Sequence, residues 1–171
     1  MGLRLVFPSE KYKHSYFTAL REHRRESTYP EQIDDEIANF PSHLQSWRLA
    51  SVGKQLAKGA VPHTNYWLID GDEYIGTVQI RHRPQGRFPN IKSHIYYEIR
   101  PSKRGRGYGT EILRLALPKA KQLGLQELLI TSKKTNAASR KIIEDNGGIF
   151  VDEVTIEGEQ TPFLKYRISL Q

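Results

Sequence analysis

Three glycines in five residues, Gly105, Gly107 and Gly109, separate a strand-like stretch from an amphipathic one. No other feature limits the fold of this chain as strongly. Before the join, Lys92 to Arg100 is rich in Tyr and Ile and reads as a strand. After it, Ile112, Ala116 and Ala120 recur at helical spacing with Leu113 and Leu117 beside them. A strand that feeds a helix through a glycine turn belongs to layered α/β or α+β folds built on a central sheet. The first N–H groups of a helix have no partner inside it, and glycines let a ligand come close to the backbone. With Arg104 and Arg106 in the turn, the join predicts an anion site suited to a pyrophosphate.

The rest of the chain fits one such domain over residues 1–171. Leu3, Leu5 and Phe7 alternate as a short strand, and Ser9 is placed to cap a helix from Glu10 whose stripe is Tyr12, Tyr16 and Leu20. Pro30 starts a second helical stretch with Ile33, Ile37, Phe40, Leu44 and Trp47 inward, which Pro41 breaks in two. Residues 51–64 read as a loop or weak helix. From Tyr66 the period changes to that of strands: Tyr66–Ile69, a turn at Asp70-Gly71-Asp72, then Tyr74–Arg83 and a loop over residues 84–90. Pro118 should bend the long helix. A buried strand follows at Glu127–Ser132, then a helix capped by Asn136 and stopped by Gly147-Gly148, then a closing hairpin. The order is β-α-α-β-β-β-α-β-α-β-β.

Charge and cysteine content narrow the chemistry. Lys and Arg number 26 against 19 Asp and Glu, a formal +7 that favours anionic partners such as phosphate-bearing cofactors. With no cysteine, a disulfide scaffold, thiol catalysis and Cys-based metal sites are excluded. The six histidines show no metal-ligand spacing, so no metal is expected. No apolar run is long enough to span a membrane and the opening residues carry no secretory pattern, so a soluble, cytoplasmic protein is expected. A P-loop is absent, and a dinucleotide fingerprint fails because Thr110 stands where its third glycine is required.

The string Arg104-x-x-Gly107-x-Gly109 resembles the acyl-CoA signature of the GNAT N-acetyltransferase superfamily, with Ile99-Arg100-Pro101 similar to the strand end before it. Asn136-Ala137-Ala138-Ser139 and Asn146-Gly147-Gly148 resemble that superfamily's second motif, one helix and one strand downstream. The resemblance covers residues 66–168. It implies a GNAT-like fold: a central, twisted, mixed β-sheet with splayed central strands, flanked by helices. It implies acetyl-CoA as co-substrate, held at its pyrophosphate by the backbone of Arg104, Gly105, Arg106, Gly107, Tyr108 and Gly109, with Thr110. The main chain near Tyr97 and Ile99 would pair with the pantetheine arm and polarise the thioester carbonyl. Asn136 and Ser139 would touch the pantetheine or phosphates; read by themselves they are a helix cap and a small packing residue. The implied activity is transfer of an acetyl group to a primary amine by direct attack in a ternary complex.

The sequence departs from the family in catalysis. Many members place a general-acid tyrosine seven residues after the motif asparagine, and this chain has Ile143 there. Proton-transfer candidates are Tyr97, His94 and Glu98 on the third strand of the meander, with Tyr96 and His82 nearby. Strand parity would align His94, Tyr96 and Glu98 unless a bulge intervenes. For the acceptor, a small-molecule amine or a protein N-terminal amine, residues 10–55 and loop 84–90 are the expected rim. Its acidic part would be Glu31, Asp34, Asp35 and Glu36, its basic part Arg83, Arg87 and Lys92, and its aromatic cover Tyr29, Trp47, Phe88 and Tyr97. Two rival readings stand beside this one: a CoA-binding sensor without catalysis, and a basic nucleic-acid-binding module, for which no motif is present. Dimerisation stays open.

Overall fold

The computed structural model describes residues 2–88 and 90–170. Strand β1 (Arg4–Val6) is followed by helices α1 (Lys13–Arg24), α2 (Pro30–Ala38) and α3 (Phe40–Ser51). A meander of β2 (His63–Asp70), β3 (Glu73–Phe88) and β4 (Ile91–Ile99) leads to α4 (Tyr108–Gln122). The chain then forms β5 (Glu127–Lys133), α5 (Ala137–Asp145), β6 (Ile149–Val154) and β7 (Phe163–Ser169). This is the expected α/β architecture. Its strands form two antiparallel sheets, ordered β1-β2-β3-β4 and β5-β7-β6.

The sheets meet where β4 lies against β5 without a ladder between them. The His94 ring holds this seam: its Nδ1 accepts the Leu129 backbone N–H at 2.9 Å. Ser93 Oγ adds a bond to the Leu129 carbonyl at 3.4 Å. Beyond that point, Tyr97 and Ile99 face a groove shared with α5 instead of a neighbouring strand.

Both faces of the first sheet are covered, which is why β2 is buried almost throughout. On one face, Ile112, Leu113, Ala116 and Ala120 of α4 pack against Leu68, Val78, Ile80 and Ile95. On the other, Tyr16 and Leu20 of α1 with Phe40 and Leu44 surround Trp67, Ile69 and Tyr74. A fully buried Leu or Ile side chain is worth about 1.5–3 kcal/mol, so these stripes fix α1 and α4 against the sheet.

Several local expectations are refined. Ser9 makes no capping bond; a short 3-10 turn at Glu10–Tyr12 precedes α1. Helix α4 runs on through Pro118 to Gln122. Residues 84–88, expected as a loop, extend β3, while Pro89 lies outside the described residues. The pairing jumps from Ile80↔Ile95 to Gln85↔Ser93 and then Phe88↔Ile91. That irregularity accommodates Pro84, which has no N–H to give a regular ladder.

Candidate functional site

A groove of about 300 Å³ opens between the end of β4 and the N-termini of α4 and α5. Tyr97, Ile99, Gly105, Gly109, Asn136 and Ser139 line it. Gly107 caps α4 with φ 81°, a left-handed conformation that glycine adopts without strain. Gly109 serves contact: a Cβ there would lie 2.5 Å from Ile142 Cδ1, so its absence lets α4 pack on α5. The first backbone bond of α4 is donated by Glu111 to the Gly107 carbonyl. Among the described residues, the six N–H groups from Gly105 to Thr110 therefore have no protein acceptor. Six consecutive unpaired donors at the positive end of a 15-residue helix suit a pyrophosphate, so the residues fit the phosphate end of CoA.

The loop is held from outside by carboxylates. Arg100, only 8% exposed, donates from Nε to Glu22 Oε1 at 2.8 Å and from Nη1 to Glu73 Oε1 at 3.2 Å. The Ser102 N–H donates to the other Glu22 oxygen at 3.1 Å. Burial alone would raise the Glu22 pKa, but the Arg100 and Ser102 hydrogen bonds win and lower it to about 2. Arg104 is not aimed wholly at the glycine loop. Its Nη1 donates to Glu26 at 2.7 Å and its Nε to the Ile99 carbonyl at 3.2 Å. Arg106 has no ion-pair partner among the described residues, and so leaves a positive charge beside the free N–H groups.

A second cavity, about 480 Å³, adjoins the first on the other side of β4. It is bounded by the C-terminal part of α1, by α2, and by Tyr74 and Tyr96 of the sheet. Glu98 and Arg104 line both cavities. Tyr96 OH donates to Glu98 Oε2 at 3.0 Å, and His23 Nδ1 lies 3.3 Å from Glu98 Oε1. Glu36 accepts a hydrogen bond from Tyr16 OH, and burial raises its pKa.

The predicted residues sort themselves by position. Tyr97 lies in the groove, where its OH and Ser139 Oγ are 3.2 Å apart. Burial raises its pKa, with the Ser139 contact opposing, so the phenol keeps its proton. Asn136 accepts the Ser139 N–H at 3.0 Å as the cap of α5, while its side chain also lines the groove. Tyr96 and Glu98 share one face of β4, and Tyr97 and Ile99 serve the other. His94 belongs to neither cavity; it is 6% exposed, and burial lowers its pKa. His82 also stands apart, with Nε2 2.9 Å from Thr64 Oγ1. Ile143 is fully buried, so that position carries core in place of a tyrosine.

The expected acceptor rim is corrected in several places. Only Glu36 of the acidic segment lines the cavity: Asp34 is taken by Arg24 at 2.7 Å and Asp35 by His43 at 3.1 Å. Arg83, Arg87 and Lys92 lie on the β3–β4 arm, away from it. Phe88 lies 6.5 Å from Phe163, Trp47 packs in the N-terminal core, and Tyr29 is exposed. The sequence reading missed His23, Glu26 and Tyr74. A signal existed for His23, which follows Tyr16 and Leu20 along the apolar stripe of α1. Among the described residues, no cluster of three His, Asp or Glu side chains is arranged to hold a metal.

The family model for the acetyltransferase (GNAT) domain matches residues 6–149. Among solved structures, the chain is similar to RimJ of Mycobacterium smegmatis in complex with a CoA disulfide, with TM-score 0.73 and 14% identity over 98% of this chain and 81% of that one. It is also similar to RimL, a ribosomal L7/L12 alpha-N-protein acetyltransferase in complex with CoA: TM-score 0.70, 15% identity, 98% and 93% coverage. A third is the microcin C7 self-immunity acetyltransferase MccE with acetyl-CoA and AMP: TM-score 0.70, 13% identity, 98% and 92% coverage. At these identities the likeness speaks for the fold. No curated protein matches the chain in sequence. No helix among the described residues is long and apolar enough to cross a membrane.

Proposed function

This chain belongs to the GNAT acetyltransferase family, and from that premise we propose that it moves an acetyl group from acetyl-CoA to the nitrogen of a primary amine by direct attack. The observation that carries this reading is the pair of adjoining cavities, one rich in unpaired backbone N–H groups and the other in carboxylates, with Glu98 on the boundary. Two reactants held on either side of β4 gain the rate advantage of proximity. With no cysteine in the chain, a thiol acyl-enzyme is not available.

Acetyl-CoA supplies an activated acyl group as its thioester. The N–H groups of Gly105 to Thr110 and the Arg106 charge would hold its phosphates, with Asn136 and Ser139 along the pantetheine side. Glu98 is the group assigned to take the proton that an ammonium acceptor must lose. Tyr96 orients its carboxylate, and His23 is placed to relay the proton to solvent. Tyr97, kept protonated by burial, is assigned to protonate the departing sulfur in place of the tyrosine missing at 143. His94 is then a structural brace between β4 and β5. The acceptor is a small-molecule or N-terminal amine, the latter being the substrate type named for RimL, and the expected compartment is the cytoplasm.

The test is purified protein with acetyl-CoA and a panel of amines, reading free thiol. Amine-dependent thiol release is expected. CoA that raises the melting temperature while no amine releases thiol would overturn catalysis and leave a CoA-binding protein.

A further inference from the structure

The acceptor cavity is charged against the trend of the molecule. In a chain of formal net charge +7, it is lined by the carboxylates of Glu26, Glu36 and Glu98, with Arg104 as its one permanent cation. Arg104 is spent on Glu26 at 2.7 Å, which leaves Glu36 and Glu98. Those two meet hydroxyls and a histidine: Tyr16 OH donates to Glu36, while Tyr96 OH and His23 face Glu98. Among the described residues no Lys or Arg pairs with either one.

A second, independent feature points to a ligand. Tyr74 is 3% exposed and lines the same cavity, yet among the described residues its hydroxyl has no hydrogen-bond partner, while its backbone N–H donates to Ser15 Oγ. The ring is buried while the hydroxyl opens onto the cavity, free of any protein partner and available to a polar group of a ligand. Its oxygen can accept an N–H as readily as its proton can be donated.

We propose that the acceptor is a small diamine whose reacting nitrogen faces Glu98 at the boundary between the cavities, and whose second ammonium is held by Glu36 and the Tyr74 hydroxyl. This inference rests on the acetyltransferase reading for the identity of the reacting end. Two half-buried carboxylates without a Lys or Arg partner match two positive charges, whereas a monoamine paired with Glu98 would leave Glu36 without a cation. A volume of about 480 Å³ suits a small ligand. Glu36 lines only this cavity and Glu98 lines both, which sets the direction in which the diamine lies.

The experiment is calorimetric titration of 1,4-diaminobutane and of butylamine into the CoA-saturated protein, with transfer assayed in parallel. The diamine is expected to bind at least about tenfold more tightly, the equivalent of one hydrogen-bonded charge pair. Glu36→Gln should erase that advantage and leave butylamine unchanged. Tyr74→Phe, which keeps the ring in place, should weaken the diamine about threefold and serves as the reporter if Glu36→Gln fails to fold. Equal binding of the two amines, or an advantage that survives both substitutions, overturns the proposal. Tight diamine binding without thiol release would sustain the proposal for the cavity and sink the acetyltransferase reading.

Discussion

The two cavities that flank β4 are built in opposite ways. The groove assigned to the cofactor is made of backbone: six consecutive N–H groups, a left-handed glycine and a helix end, all within residues 104–110. The cavity assigned to the acceptor is made of side chains from α1, α2, β3 and β4, brought together from as far apart in sequence as Leu20 and Glu98. The groove is suited to an anion by peptide dipoles that depend on the backbone of one short segment. The acceptor cavity is suited to a cation by the particular residues of this chain. On the proposed reading, the cofactor is selected by local geometry and the acceptor by tertiary assembly.

Substitutions that act on one side and spare the other test that division. The largest effect is expected at Glu98, which borders both cavities. Glu98→Gln should lower kcat by roughly 10²- to 10⁴-fold with near-normal CoA affinity, and a kcat close to the parent's would place the base elsewhere. Next is Arg106→Glu, which reverses an exposed charge beside the glycine loop and leaves the fold alone. CoA should bind on the order of a hundredfold more weakly by calorimetry, the scale of two charge-assisted bonds. Butylamine binding should not change, and unaltered CoA affinity would mean that the loop is not the phosphate site. Neither Gly107→Glu nor Gly109→Glu tests this as cleanly, since one strains φ and the other displaces Ile142. Tyr97→Phe should cost about tenfold in kcat, because a thiolate leaves readily even without an acid. That gap should shrink at alkaline pH, as the parent's phenol, whose pKa burial raises, ionises and loses its acid role.

The smallest effect concerns stability. The folded pKa of Glu22, about 2, lies below its ordinary 4.5. Its stabilisation is thus complete above about 4.5 and disappears as pH falls toward about 2. Glu22→Gln should cost about 2 kcal/mol at neutral pH, some 4–8 °C in Tm, because Arg100 keeps Glu73 as a second partner. The variant's Tm should converge on the parent's in acid. A constant gap across that range would show that the carboxylate charge is not what matters.

What the sequence made legible follows the same division. The glycine loop, the Asn136 cap and the apolar stripes of α1, α4 and α5 are local patterns, and each was readable where it stood. Ile143 announced a missing tyrosine, and burial confirms that nothing polar reaches out from that position. The acceptor rim was only partly readable. In α2, Asp34, Asp35 and Glu36 are consecutive but lie about 100° apart around the helix. Only Glu36 joins the face of Ile33 and Ile37 that turns inward, while its neighbours meet Arg24 and His43. Applying the three-and-four spacing to charged residues as well as apolar ones would have singled out both Glu36 and His23. Nothing in the sequence could reveal Tyr74, because its unpaired hydroxyl depends on which strand and helix close over it.

Arg104 gives the division a thermodynamic consequence. Its guanidinium is anchored to Glu26 in the acceptor cavity and to the Ile99 carbonyl at the edge of the cofactor groove, so either occupant acts on the same side chain. Occupancy of the two sites is expected to be linked through it, and such linkage is reciprocal. The factor by which CoA changes amine affinity must equal the factor by which the amine changes CoA affinity. Both follow from one free-energy cycle, and removing the guanidinium in Arg104→Ala should bring that factor toward unity from both directions at once.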